Sequence, residues 1–167
     1  WITARTRFHL FINGRYLAFG PPPCPNENAY VVYLDVGFLV ESGKNTIAVL
    51  AHNTEVSRFG SRRHPGGLWA QLNINGQPAV WTDETWLCRE AECFLPNQPR
   101  ASLSSGFVEY VDLGLYPDGW QEKEYGCRNW QPPDSIEKVT ATVGRLEAVV
   151  SPEWTIERRP PTAMVRS

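Results

Sequence analysis

Two carboxylates three residues apart, Glu109 and Asp112 in the stretch GFVEYVDL, are the pair in this sequence whose spacing invites a chemical reading. Cleavage of a glycosidic bond needs two such groups facing one cleft. They stand about 5–5.5 Å apart for a covalent route, or roughly 6.5–9.5 Å apart for direct attack by water. Residues 106–113 read as a strand, whose side chains alternate with period two, so positions 109 and 112 point to opposite faces. They meet only across a bulge, and the sequence assigns no catalytic residue. Asp83-Glu84 follows a strand end, where an Asp bonds the backbone two residues on and makes a turn. No serine lies in a GxSxG setting, and His9, His52 and His64 have no orienting partner in their local pattern. His52 closes an apolar run and reads as a hydrogen-bonded structural histidine.

Binding residues give more to work with. Trp86, Trp120 and Trp130 flank loops, where an indole can stack on the apolar face of a sugar ring or plug the end of a β-sandwich core. For a bound sugar, these three form the stacking set, with Glu109, Asp112 and Asn53 as partners for its hydroxyls. Trp69 and Trp81 fall within strands and read as core or edge packing. Arg58, Arg62 and Arg63 make a solvated loop or a grip on a neighbouring domain. Cys24, Cys88, Cys93 and Cys127 allow three pairings and demand none. Cys88-x4-Cys93 is not a usual zinc spacing. Calcium needs only scattered Asp, Asn and carbonyl oxygens and is compatible with the sequence, which does not locate a site for it.

The elements that must position these residues are strands. Asn13-Gly14 and Asn75-Gly76 each sit between alternating apolar runs, the strongest short-range signal for a two-residue hairpin. Phe8, Leu10 and Ile12 share one face of the first hairpin, with Arg7, His9 and Phe11 on the other. On the return, Tyr16, Ala18 and Gly20 alternate with Arg15, Leu17 and Phe19. Neither face is purely polar, which predicts a strand pair inside a sheet that is largely covered. Residues 30–36 and 68–74 read as strands, 45–52 as a strand buried on both faces, and 86–89 as a further short one. Residues 37–42 read as one helical turn, 90–105 as loop, and 137–150 as a late strand. One Met and 14 Pro among 167 residues fit short elements joined by rigid turns. Eight to ten strands and almost no helix predict an all-β, jelly-roll β-sandwich.

A formal charge of −2, from 18 acids and 16 bases, argues against a nucleic-acid partner. No apolar run approaches the roughly 18 residues of a membrane span, so no membrane partner is expected. The absence of a targeting segment leaves the compartment open between cytoplasmic and secreted. The chain opens on strand-like Trp1-Ile2-Thr3 with no initiator Met, which reads as a piece of a longer protein lacking its first strands.

Four stretches carry a resemblance. RFHLFINGRYLAFGPPP, YLDVGFLVESGKNTIAVLAHN, PGGLWAQLNINGQPAVWTDETW and GFVEYVDLGLYPDGW together resemble the N-terminal β-sandwich of α-L-rhamnosidases and related glycoside hydrolases. The matching positions include Asp35, Gly43 and Asn45 in the second stretch and Thr82, Asp83 and Trp86 in the third. In the fourth they are Gly106, Glu109, Asp112, Gly119 and Trp120. The first two stretches are shared with β-galactosidase-type sugar-binding domains, and the fourth narrows the resemblance. This chain carries Leu113 and Gly114 where the family pattern has Ala-Arg, so Asp112 lacks that charge partner.

The resemblance implies a galactose-binding-like accessory domain over residues 1–150. Residues 151–167, rich in Pro and Arg, would form an extended linker toward a following catalytic domain. It further implies a module that is itself non-catalytic, with a rhamnose-containing glycan and the catalytic barrel as partners. The alternative is an interdomain module with no ligand.

Overall fold

Asn13 and Gly14 adopt φ of 50° and 77°, the left-handed backbone that a two-residue hairpin turn demands. They join β2 (Arg7–Ile12) to β3 (Arg15–Gly20) as an antiparallel pair. Residues 1–24, 28–53, 66–102, 106–134 and 145–149 are described in the computed structural model. On the other side of β2 lies β5 (Ile47–His52), also antiparallel, giving a sheet of order β3-β2-β5.

The second layer is built from β1 (Ile2–Ala4), β4 (Ala29–Val31), β6 (Leu68–Ile74), β7 (Gln77–Trp81) and β10 (Leu146–Ala148). β6 pairs antiparallel with both β1 and β7. Mutual 2.9 Å backbone bonds between Ile2 and Val32 tie the end of β4 to β1. β10 adds to β4 in parallel. β8 (Arg100–Ser102) and β9 (Gly106–Phe107) form a small separate pair.

Phe8, Leu10 and Ile12 of β2 face Ile2 and Ala4 of β1 and Ala70 of β6 across the core, with Leu39 closing it. Phe8 is fully buried. Burial of these side chains between two sheets is the main stabilising contribution, at about 25 cal/mol per Å² of apolar surface removed from water. The architecture is nearly all-β, a β-sandwich, whose described helical structure is the 3-10 turn Gly37–Leu39.

Several expectations from sequence are revised. The strand expected over 106–113 is confined to β9, with Val111 making one bridge to Phe94 beyond it. Residues 86–89 make a turn and one bridge, Cys88 to Gln131, in place of a strand. The expected loop 90–105 contains β8. β5 is only half-buried along much of its length, because it is an edge strand. In β3, Leu10 opposes Ala18 while Phe11 opposes Tyr16, so Leu17 is an extra, bulged residue. The bulge puts Tyr16 on the face opposite Ala18 and Gly20, against simple alternation. The arginine loop with Arg58, Arg62, Arg63 and His64, most of the late strand 137–150 and the linker 151–167 lie outside the described residues.

Candidate functional site

The outer face of β3-β2-β5 carries Arg7, His9 and Phe11, and residues of the segment 107–125 cover it. The Trp120 ring meets Phe11 edge-on at 5.2 Å between centroids, and its Nε1 donates to the Tyr116 hydroxyl at 3.1 Å. Glu109 sits 3.3 Å from the Arg7 guanidinium and 3.9 Å from His52 Nδ1. Gly14 N–H donates to the Gln121 carbonyl at 3.0 Å, and the Glu122 side chain occupies the space where a Cβ on Gly14 would stand. Lys123 pairs with Glu41, holding that carboxyl below its ordinary range by hydrogen bond and charge, and Lys44 pairs with Glu124 at 3.6 Å. Under this roof the Tyr16 hydroxyl lies 3.2 Å from His9 Nδ1. Burial, reinforced by Arg7 and opposed by Glu109, pushes the His9 imidazole below its ordinary value.

The candidate residues therefore scatter. Trp120, only 8% exposed, is a core residue of the roof. Glu109 is engaged in its ion pair. Asp112 Oδ1 accepts the Gly114 N–H at 2.8 Å, a turn that leaves the side chain on the surface. Trp130 packs edge-on against Tyr125 at 6.1 Å, with its buried Nε1 lacking a partner among the described residues. Asn53, at the end of β5, accepts the Thr6 hydroxyl at 3.0 Å. Trp86 packs against the main core and donates Nε1 to the Trp81 carbonyl at 2.8 Å. Glu109 comes near His52, the neighbour of Asn53, whereas Trp86, Trp120 and Trp130 do not form one stacking surface. Asp83 accepts both the amide and the hydroxyl of Thr85, at 2.9 and 2.6 Å, and these bonds lower its pKa, as its turn role requires.

Among the described residues, no three His, Cys, Asp or Glu side chains converge as a metal site would need, so the carboxylates present offer calcium no ready cluster. All four cysteines are free, and burial pushes the Cys24 and Cys88 thiols up. No helix among the described residues is long and apolar enough to cross a membrane.

The open concavity is elsewhere. At the Asn75-Gly76 end of β6 lies an open cleft of about 580 Å³ lined by residues of both layers. Trp86 lies in its wall, and Ile12, Val36 and Val80 supply apolar surface. Trp1 and Tyr33 stand together in the lining, 4.9 Å between ring centroids at 56°. Asp35, Gln71 and Asn73 are its polar groups with side chains of known partners: Asp35 Oδ1 accepts Gly37 N–H at 3.0 Å, and Gln71 Nε2 donates to Asn73 Oδ1 at 2.8 Å. Sequence reasoning passed over Tyr33, Gln71 and Asn73. Gln71 and Asn73 share one face of β6 by period two, but which end of the sandwich stays open has no local signature.

A β-sandwich with a roofed outer face and one open end is the class of module that the fold defines. Its chain is similar to part of a crystal structure of a GH78 family rhamnosidase of Bacillus sp. GL1, with a TM-score of 0.81 and 29% sequence identity. That likeness covers 87% of this chain and 15% of the rhamnosidase chain. It fits an N-terminal domain of a rhamnosidase-like protein, in agreement with the resemblance read from the four sequence stretches. No family model and no curated protein sequence matches the chain.

Proposed function

We propose that this chain is a non-catalytic, carbohydrate-associated accessory domain of a rhamnosidase-like glycoside hydrolase, which braces the catalytic domain or holds a terminal sugar. The observation that carries the reading is the 0.81 TM-score match to a segment amounting to 15% of a rhamnosidase chain. A segment of that size leaves most of such an enzyme to other domains. The placement of the carboxylates supports the non-catalytic part. Glu109 is neutralised by Arg7, and Asp112 is spent on its own turn. Among the described residues neither lines the open cleft. The test is turnover of a nitrophenyl rhamnoside by this chain, with calorimetric titration of rhamnose and galactose in the presence and absence of calcium. Heat of sugar binding without turnover is the expected result. Hydrolysis by the chain alone overturns the reading.

The second reading, an interdomain module without a ligand, is favoured by one patch. Phe107, Val108, Tyr110, Leu113 and Leu115 are exposed along the roof segment, Leu113 to 79%. Large apolar side chains left exposed along one segment suit contact with another protein surface. On this reading neither sugar produces heat, and joining the chain to its catalytic domain raises its melting temperature.

A further inference from the structure

Residues 88–131 leave the sandwich as one excursion whose ends are joined. Cys88 and Gln131 exchange backbone bonds of 2.6 and 2.9 Å at its base. Further along, Asp112 N–H donates to the Cys93 carbonyl at 2.8 Å, Leu95 N–H to that of Tyr110 at 2.9 Å, and Val108 N–H to that of Pro99 at 3.0 Å. β8 and β9 continue the same nested pairing. The excursion thus pairs much of its own backbone, which a segment must do to keep its shape apart from a sheet.

Its ties to the sandwich are of another kind. Among the described residues, the backbone bond that crosses to the first hairpin is Gly14 N–H to the Gln121 carbonyl, at 3.0 Å. Trp120, the neighbour of Gln121, supplies a ring contact with Phe11. Beyond these, ion pairs hold the rim: Glu109 with Arg7, Glu124 with Lys44, and Lys123 with Glu41. Their side chains are 27 to 87% exposed, so dissolved salt screens them.

A segment opens separately where the bonds inside it outlast the bonds to its neighbours. The core offers the contrast. Ile2 and Val32 exchange backbone bonds at 2.9 Å within the cluster that buries Phe8, so they part only when the sandwich itself unfolds.

We propose that residues 88–131 are a flap that lifts off the outer face of β3-β2-β5 as one body while the core stays folded, and that ionic strength sets how often it lifts. Lifting uncovers Arg7, His9, Phe11 and Tyr16. The device is independent of both readings of the function, and holds whether or not the chain meets a sugar.

The test is hydrogen exchange of single amides, followed by NMR at neutral pH in about 0.05 and 1 M sodium chloride. Lifting breaks the Gly14–Gln121 bond and spares those of Leu95, Asp112 and Gln131 within the flap. Gly14 therefore exchanges faster than these three amides, and faster than Ile2 and Val32. Each exposed ion pair is worth about twofold in the lifting equilibrium, so the higher salt speeds Gly14 about tenfold. Ile2 and Val32 stay within about twofold, since no ion pair holds their bonds. Combining Glu41→Gln, Glu109→Gln and Glu124→Gln speeds Gly14 in low salt and removes its salt response. All three carboxylates are exposed, so this variant folds, and its Ile2 and Val32 rates verify it. Gly14 exchanging at the rate of Ile2 and Val32 overturns the proposal, because the flap then parts only with the core. Exchange of Leu95, Asp112 and Gln131 in step with Gly14 also overturns it, because the segment then melts instead of lifting. A Gly14 rate indifferent to salt and to the triple variant overturns the ionic control.

Discussion

The molecule uses the same dipeptide twice, for opposite ends. Asn13-Gly14 and Asn75-Gly76 have nearly identical backbones, with φ of 50° and 77° in one and 51° and 78° in the other. Each also has a bulged residue on its return strand, Leu17 in one and Ala79 in the other, that restores strand pairing after the turn. Their surroundings differ completely. The Asn13 side chain donates to the Leu39 carbonyl and to Asn45 Oδ1, both at 2.9 Å, and accepts the Thr46 N–H at 2.8 Å. Gly14 is roofed by Gln121 and Glu122. Around Gly76 nothing lies within 4 Å of where a Cβ would stand, and Asn75 faces the open cleft. A local turn signal thus sets the bend of the chain but not the use made of it. The first turn is a keystone between layers, and the second is the rim of a concavity.

That contrast can be broken by mutation. The largest effect is expected at the roof, where Trp120→Ala removes a buried indole from the Phe11 face and costs about 3–5 kcal/mol, read from urea unfolding. Tyr33→Ala in the cleft, by contrast, stays within about 0.5 kcal/mol of the parent because the ring is exposed. If the two substitutions cost the same, the distinction between a closed face and an open one is wrong.

Paired changes in the turns come next. Asn13→Gly preserves the left-handed backbone yet deletes three side-chain hydrogen bonds, so it destabilises by about 2 kcal/mol. Asn75→Gly makes the same exchange where no such bonds exist among the described residues, and shifts stability by only a few tenths of a kcal/mol, roughly. Gly14→Ala should likewise cost more than Gly76→Ala. Both suffer the left-handed strain of about 1 kcal/mol, but only the first also requires the Glu122 carboxylate to swing aside, a small added cost. Matching unfolding midpoints for each pair would show that the roof does not bear on the first hairpin.

Glu109→Gln tests how the roof is fastened. The pair with Arg7 is half exposed on both sides, so its loss costs about 0.5 kcal/mol and shrinks further in high salt.

The smallest effect is a slope with pH. The His9 imidazole in the folded chain titrates below its ordinary 6.5, because burial disfavours the cation, Arg7 adds to this, and Glu109 opposes it. As pH falls below about 6.5 the unfolded chain takes up this proton before the folded one, so stability declines with falling pH and levels off below the folded value. Arg7, His52, Tyr16 and Glu109 also face this region. The His9 contribution is therefore the difference between the parent and His9→Gln across pH 7 to 5. If the two profiles run parallel, His9 is not desolvated by the roof.

Much of the fold was readable before any coordinates. Phe8, Leu10 and Ile12 announce a core face by period two, and two Asn-Gly dipeptides announce antiparallel hairpins, because both signals are local and rest on backbone sterics. Phe11 among Arg7 and His9 also showed that this face of the hairpin is not purely polar, which pointed to a sheet that is largely covered. What covers it was hidden, since residues 107–125 lack regular alternation and dock through scattered contacts such as Trp120 on Phe11 and Glu109 on Arg7. Trp120 accordingly looks in sequence like a loop aromatic free to meet a ligand, and only its packing makes it core. The bulge at Leu17 was hidden for a related reason. Register depends on the partner strand, and one extra residue reverses the faces beyond it.

The candidate cleft sits at the far end of that range. Composition and spacing pointed to an all-β sandwich with aromatic residues to spare, and spacing set Glu109 and Asp112 on opposite faces of a strand. Tertiary structure alone decided which aromatics are consumed by packing and which polar side chains keep an atom to offer. Residues 33–36 and 70–76 line one opening although they are far apart in the chain. They meet there only because the packing of the whole core, and not any single stretch of sequence, sets where these segments lie.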